Sequence, residues 1–491
     1  VRGVVVVGGG PVGMLMAAEL AIRGVATTVV ESRSATHDEP RAGTLHARTV
    51  QSLTRRGYLS APDAATARSR RTVTVPFHFA GRPILTLESP AAEGPPMVGR
   101  SQADLERFFE ARARAAGAVV RRGETVVDVR SGPDRVEVEL DGGEVLVGAY
   151  AVGCDGARST VRERLGFTST TTPPTFAGIL GLVRLDNPAV VPSGWAHGPV
   201  GSTLANVSPL GLSRIVAHEF GDLPDRGSPV TLDELRGVTS RVLQRDVRMS
   251  RPAYLGRFSD FTRLADTYRI GRVLLAGDAA HVHAPLGGQG LNTGLQDAIN
   301  LGWKLAMVVA GRAPERLLDT YDSERRPVAA AVIANTRVQG ALMRPDAEPV
   351  RGFVAGLMSL PDNNSGISDL ISGQGVRYTD GPGLTGAFLP NAPIGESSVV
   401  ELLVPGEPVL LLSGDVLEAA PWADRVRMVT VDGSPFADPA ILLRPDGYVA
   451  WSGATGVSAA LTSWFGEPGA ALGHTGRTGR AELCGGRACG S

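Results

Sequence analysis

The chain has 491 residues, 49 basic against 50 acidic side chains, a formal net charge of −1, 62 Gly and only 5% aromatics. A near-neutral chain without a basic block is a poor partner for nucleic acid or an anionic membrane, and 43% hydrophobic content excludes a disordered chain. No apolar run approaches the ~18 residues of a membrane helix, and three Cys give no disulfide framework, so about three domains in a reducing cytoplasm are expected.

Residues 4–7 form a continuous apolar run, too short for a signal-peptide core, that ends in Gly8-Gly9-Gly10-Pro11-Val12-Gly13. A helical pattern starts at Met14 and stops near Gly24, and a second apolar run, 26–30, ends at Glu31. Strand, glycine turn, helix and strand within about 30 residues predict a right-handed βαβ unit and a doubly wound parallel sheet. Strand-like segments recur at 126–130, 136–140 and 149–153, the last closed by Asp155-Gly156. Residues 168–174, rich in Thr and Pro, read as a domain crossing, and 175–220 as several strands split by Gly and Pro turns.

Farther along, 272–276 is a buried strand and a long helix follows Gly290. Residues 361–393, rich in Gly, Asn, Ser and Pro, read as a linker. Strands at 409–412, 426–431 and 440–443, a turn through Arg444-Pro445-Asp446-Gly447 and a helix near 457–465 predict a small α/β domain. Residues 471–491 read as a disordered tail.

Gly8-x-Gly10-x-x-Gly13 gains meaning from its place between strand and helix. Gly8 permits the tight turn, Gly10 lets a pyrophosphate approach the backbone, and Gly13 lets helix and strand pack closely. The helix N-terminus offers N–H groups and positive dipole to phosphates, and a carboxylate at Glu31 favours an unphosphorylated adenosine, as in FAD or NAD. In the second cluster, Gly277-Asp278-Ala-Ala-His281 followed by Pro285-Leu-Gly287-Gly288-Gln289-Gly290-Leu291-Asn292, a strand delivers Asp278 to the carboxyl edge of the sheet. There it can hold a ribityl hydroxyl, while Gly287–Gly290 expose N–H groups at a helix start suited to a reduced flavin's negative edge. That helix carries an apolar stripe through Leu291, Leu295, Ala298, Gly302, Leu305 and Val309, and also holds Lys304, the single lysine of the chain.

With these two motifs and Cys154-Asp155-Gly156-Ala157-Arg158-Ser159, the sequence resembles the single-component FAD-dependent aromatic hydroxylases (group A, like para-hydroxybenzoate hydroxylase). It is most similar to bacterial polyketide and antibiotic hydroxylases with a thioredoxin-like third domain, over about residues 3–466. The resemblance implies an α/β fold. A Rossmann-like doubly wound FAD-binding domain would take 1–74, 98–172 and 257–360, with an inserted β-sheet substrate domain at 75–97 and 173–256. A linker at 361–386, a C-terminal thioredoxin-like α/β domain without redox Cys at 387–468 and a tail at 469–491 complete the expectation.

The resemblance also implies site roles. Gly8, Gly10, Pro11, Val12 and Gly13 would take the pyrophosphate, Glu31 and Arg33 the adenosine end, and Arg41 the ribityl and phosphate. Gln102 would contact FAD, the backbone of Val126 would face adenine, and Asp155 would serve both FAD and NADPH. Asp278 would hold the ribityl chain, and Pro285, Gly288, Gly290, Leu291 and Asn292 would cradle the isoalloxazine. NADPH or NADH would reduce FAD, O2 would be trapped as a C4a-hydroperoxide, and the hydroxyl would pass to a phenolic polycyclic aromatic, a polyketide intermediate of antibiotic biosynthesis.

Baeyer–Villiger or antibiotic-inactivating oxygenation, or a flavin-binding protein that does not turn over, are the alternatives. No catalytic base is assigned and no metal site is expected. His281 and His283 read as hydrogen-bonding neighbours of the flavin motif, with a proton relay as the other reading. Cys484 and Cys489 read as inert thiols. The protein is expected to be a monomer or homodimer.

Overall fold

The computed structural model describes residues 3–40, 42–61, 71–221, 228–414, 417–431, 433 and 435–469. The expectations for Arg41, for Cys484 and Cys489, and for the tail beyond 469 lie outside the described residues.

The central sheet begins with β1 (Val4–Val7), buried along its whole length, as a strand covered on both faces requires. Gly8 to Gly10 turn the chain into α1 (Pro11–Ala21), which starts three residues before the periodicity suggests because Pro11 fits the first helical position. There follow β2 (Thr27–Glu31), α2 (Gln102–Ala115), β3 (Val119–Arg122), β4 (Tyr150–Gly153), β5 (Val273–Leu275), α3 (Gln289–Val309) and α4 (Asp319–Leu342). The strand order is β5-β4-β1-β2-β3, all parallel, with a short antiparallel edge strand, Arg269–Ile270, beside β5. From β1 the chain builds outward through β2 and β3, and only later adds β4 and β5 on the other side. The order therefore reverses between β1 and β4, and ligands of such sheets bind at the carboxyl ends beside that point. This is the expected doubly wound α/β fold.

A five-stranded antiparallel sheet stands over this layer in the order Gly194–His197, Gly201–Asn206, Leu212–Phe220, Phe176–Leu185, Met249–Ser259. Its two faces follow from strand alternation. Ile179, Val183, Ala205, Ile215 and Ala217 pack with Leu235, Val238 and Val242 of the helix Leu232–Leu243. The alternate residues Phe176, Trp195, His197, His218 and Phe220 point the other way. A hairpin, Thr72–Phe79 and Arg82–Pro90, joins this second face in one apolar cluster with Ala284 and Leu286.

The C-terminal unit is a four-stranded mixed sheet, Arg427–Thr430, Val409–Leu412, Ala440–Leu443, Val449–Gly453, with one parallel pair and flanking helices. It is the expected thioredoxin-like arrangement. The expected linker at 361–386 needs correction, because Pro361–Ser372 is a helix. Its Asn364 bonds Thr86 N and Ile84 O of the hairpin, and Ile367 and Ile371 join the apolar cluster there. Tertiary burial overrides a composition that reads as loop.

Candidate active site

Three glycine-bearing turns meet at the carboxyl edge of the parallel sheet, and their glycines do different work. Gly8 has φ +101°, and a Cβ there would overlap Cys154 O at the end of β4; a Cβ on Gly13 would overlap Gly8 O. Both are needed for packing. A Cβ on Gly10 meets nothing within 4 Å, so the backbone at the start of α1 stands open. No side chain caps this helix, and its first N–H groups have no intrahelical partner, which leaves an anion site at the positive end of the dipole. Glu31 braces the turn: Oε2 accepts the Gly9 N–H at 2.6 Å and Oε1 the Arg33 N–H at 2.9 Å.

The Gly277–Ala279 turn after β5 carries Asp278 on its exposed side. Gly277 has φ +61°, and a Cβ on it would lie 3.2 Å from Val12 Cγ2. A Cβ on Gly294 of α3 would lie 2.8 Å from that same methyl and 3.2 Å from Gly277 Cα. The fingerprint, the Gly-Asp turn and α3 therefore close around Val12. Asp155 sits at the end of β4, its Cα 2.8 Å from where a Gly8 Cβ would be. Its Oδ2 accepts the Val161 N–H at 3.0 Å, its buried Oδ1 makes no hydrogen bond, and burial pushes its carboxyl up.

Gly287 and Gly288, at φ +71° and +66°, lead into the uncapped start of α3. Asn292 is turned inward: Oδ1 accepts the His46 N–H at 2.7 Å, and Nδ2 donates to Thr44 O at 3.0 Å and Gly288 O at 2.8 Å. Its side chain clamps the loop rather than presenting itself to a ligand. His46 donates Nε2–H to Gly287 O at 2.8 Å, and its buried Nδ1 has no hydrogen-bond partner. His283 donates Nδ1–H to Ala284 O at 2.8 Å, and its buried Nε2 is likewise unbonded, 3.4 Å from where a Gly290 Cβ would stand. Burial holds His46 low and His283 at about 4, so neutral imidazoles flank the loop.

The remaining expected residues divide. Gln102 opens α2, and its N–H donates to Ala42 O, next to position 41. Pro285 is exposed at the head of the glycine loop, and Leu291 packs part-buried on the main core. Val126 is buried in that core and pairs with Leu140. Arg33 is exposed, its carbonyl accepting from Gly123 N. Lys304 lies elsewhere, fully buried with Nζ 2.7 Å from Glu324, which Arg444 of the C-terminal unit also binds. It faces the domain junction instead of the cofactor edge.

Sequence reasoning missed His46, Asp297 and Arg162. Arg162 donates to Ala157 O and Ala279 O, tying the Asp155 motif to the Gly-Asp turn. A signal existed for α3. Asn292, Gln296, Asn300 and Lys304 recur every four residues beside the apolar stripe, and this polar row is buried too.

Across from the loop stands the second face of the five-stranded sheet. Phe176 and Leu286 both adjoin Gly340, and His218 packs between Phe176 (4.8 Å) and Phe220 (5.2 Å). On the hairpin, His78 stacks on Phe77 at 4.4 Å and meets Trp195 at 5.3 Å. Burial lowers His78 and His218 to about 4. Aromatic and neutral imidazole rings thus gather on this face, which the strand alternation shares with Leu180, Ser202, Leu204, Arg214 and Val216.

An open helix N-terminus, a carboxylate ending β2, a second carboxylate on the Gly-Asp turn and a glycine loop opening α3 form a donor set that fits a flavin dinucleotide. Residues 2–336 match the family described as FAD binding domain, and residues 382–468 match aromatic-ring hydroxylase, C-terminal. The chain is 37% identical to rifampicin monooxygenase of Rhodococcus hoagii, covering 94% of this chain and 98% of the relative. It is equally 37% identical to dialkyldecalin synthase of Streptomyces rugosporus, over 94% and 98%. The solved structure of anhydrotetracycline hydroxylase from Streptomyces rimosus superposes with a TM-score of 0.83 at 35% identity, covering 95% of this chain and 99% of that one. The chain belongs to the FAD-binding aromatic-ring hydroxylase family. It is an FAD-dependent monooxygenase, and the Baeyer–Villiger alternative is not favoured.

Proposed function

We propose that the protein hydroxylates a planar polycyclic phenol, an intermediate of aromatic polyketide antibiotic assembly, with NADPH as reductant and O2 as oxygen source. The observation that carries this reading is the sheet face of Phe176, Trp195, His218 and Phe220 opposite the Pro285–Asn292 loop. Aromatic rings stack on a flat polycycle, and neutral imidazoles hydrogen-bond phenol or quinone oxygens without demanding a charge. The name of the anhydrotetracycline relative supports a substrate of that class.

Bound FAD supplies the electron transfer from nicotinamide to oxygen. The chain's own residues bind, orient and exclude water. Gly10, Pro11, Val12 and Gly13 hold the pyrophosphate, Glu31 and Arg33 the adenosine, Asp278 the ribityl chain, and the Pro285–Asn292 loop the isoalloxazine. Arg41, Gln102, Val126 and Asp155 complete the cofactor contacts as proposed. The enzyme works in the cytoplasm as a monomer or homodimer. Among the described residues no helix is long and apolar enough to cross a membrane, and the described cysteine, Cys154, is free.

The test is NADPH oxidation by the FAD-loaded protein with a panel of polycyclic phenols under 18O2. Stimulated oxidation with one labelled oxygen added to the ring is expected. A rearranged or cyclised product without NADPH consumption would overturn hydroxylation, as would the absence of stimulation across the panel.

A further inference from the structure

Behind the Gly277–Ala279 turn lies a carboxylate that the cofactor contacts leave unused. Asp297, on α3, is fully buried. Its Oδ2 accepts the Gly277 N–H at 3.1 Å and His281 Nε2–H at 2.7 Å, and its Oδ1 accepts Arg325 Nε–H at 2.8 Å. One carboxylate thus grips the turn at its first residue and at the histidine that follows it. Burial pushes Asp297 up, but Arg325 and His281 outweigh it and hold the carboxyl below its ordinary value, so the grip is a charged one.

Arg325, from α4, is equally buried and spends its other nitrogens at both ends of the junction. Nη2 donates to Thr293 O in the second turn of α3 at 3.1 Å, and Nη1 to Tyr378 Oη at 3.3 Å. The Tyr378 ring lies 4.1 Å from that of Tyr448, on the C-terminal sheet, and Arg444 of the same hairpin stands 4.9 Å from the Tyr378 ring. Hydrogen bonds therefore run without a break from the peptide that presents Asp278, through Asp297 and Arg325, to a tyrosine stacked on the thioredoxin-like domain. That domain has no cysteine among 387–468 with which to do redox chemistry.

We propose that Asp297 is a positioning residue for the Gly277–Ala279 turn, and that the C-terminal domain sets the fit of this turn to FAD through Tyr378 and Arg325. This rests on the reading of that turn as a flavin contact. A buried pair that only joined helices would be replaceable by apolar groups with no effect on the cofactor. A positioning network is not replaceable in that way, because a hydrogen bond removed at its outer end is felt at the turn.

The experiment titrates apoprotein with FAD by flavin fluorescence, measures the midpoint potential of the bound flavin, and records the melting temperature of each apoprotein. Tyr378→Phe keeps the ring stack and removes one bond to a cation. It is expected to weaken FAD binding about threefold and to shift the potential, with a loss of apoprotein Tm of a few degrees at most. Asp297→Asn loses the charged grip and is expected to weaken FAD binding about 30-fold. Tyr378→Phe with wild-type FAD affinity and potential would overturn the proposal, as would Asp297→Asn that lowers Tm but not affinity. If Asp297→Asn does not fold, Tyr378→Phe decides alone. Asp278→Ala measured alongside separates the two readings. If it alone leaves FAD affinity unchanged, the ribityl assignment fails while the coupling through the turn's backbone stands.

Discussion

At the residue scale, the glycines of one motif are required for different reasons, and this can be measured. Gly13 is needed by the protein itself, since any Cβ would enter the space of Gly8 O. Gly13→Ala is expected to destabilise the apoprotein by about 1–3 kcal/mol through overpacking, with or without FAD. Gly10 has open space around its missing Cβ. Gly10→Ala is expected to leave the apoprotein melting temperature unchanged and to weaken FAD binding about tenfold, because the methyl occupies the approach of the pyrophosphate. Thermal melts of both apoproteins with parallel FAD titrations check the pair; equal losses of Tm would defeat the distinction.

At the element scale, α3 is unusual in having no solvent face. Its apolar row joins the main core, while Asn292, Gln296, Asn300 and Lys304 each find a buried partner. The row ends at the domain junction, where Glu324 receives Lys304 at 2.7 Å and Arg444 at 2.7 and 2.8 Å. Arg444 thus carries more of the junction than Lys304, which burial draws down to about 8. Lys304→Met leaves Glu324 with Arg444 and is expected to change stability by under about 1 kcal/mol, with FAD affinity intact. Arg444→Met leaves Glu324 to Lys304 and takes from buried Asp446 the guanidinium that pairs it, and is expected to cost about 3–5 kcal/mol. Urea unfolding of both variants tests the ranking, which fails if Lys304→Met is the more damaging.

At the scale of the whole molecule, buried ion pairs hold the C-terminal domain to the FAD-binding layer at three places. Arg56, paired with Glu19, donates to Leu403 O; Arg55, paired with Glu93, donates to Leu389 O; and Arg444 reaches Glu324. Burial alone would push Glu19 and Glu324 up, but the guanidinium and ammonium groups beside them hold both at about 2 instead of 4.5. A carboxylate whose folded pKa is depressed contributes stability that is fully present above 4.5 and is lost as the pH falls toward 2, where the unfolded chain binds protons that the folded one refuses. The melting temperature is expected to fall steeply from about pH 5 to about pH 3, with proteolysis opening first at the domain junction. A flat Tm across that range would contradict this account.

The glycine-bearing carboxyl edge of the parallel sheet was readable from sequence because it is built from local rules. A valine run, three glycines at fixed spacing, a helix and a closing carboxylate can be recognised without knowing what lies opposite, and the Gly-Asp turn with its glycine loop adds a second such signature. The helix at Pro361–Ser372 was not readable, since its Asn, Ser and Gly residues are helical only where the hairpin meets them. Nor were His46, Asp297 and Arg162, whose roles depend on partners as far as 246 residues away in the chain. Lys304 shows the limit most directly, because its place on the helix after the glycine loop does not say which way it faces, and the helix's rotation turns it to the C-terminal domain. The sequence by itself determined the fold class and the order of the motifs, which follow from short-range periodicity and backbone geometry, and its resemblance to the FAD-dependent hydroxylases pointed to the flavin. Only the tertiary structure decided which polar groups are bonded to one another, because burial makes an unpaired charge costly and selects partners by proximity in space.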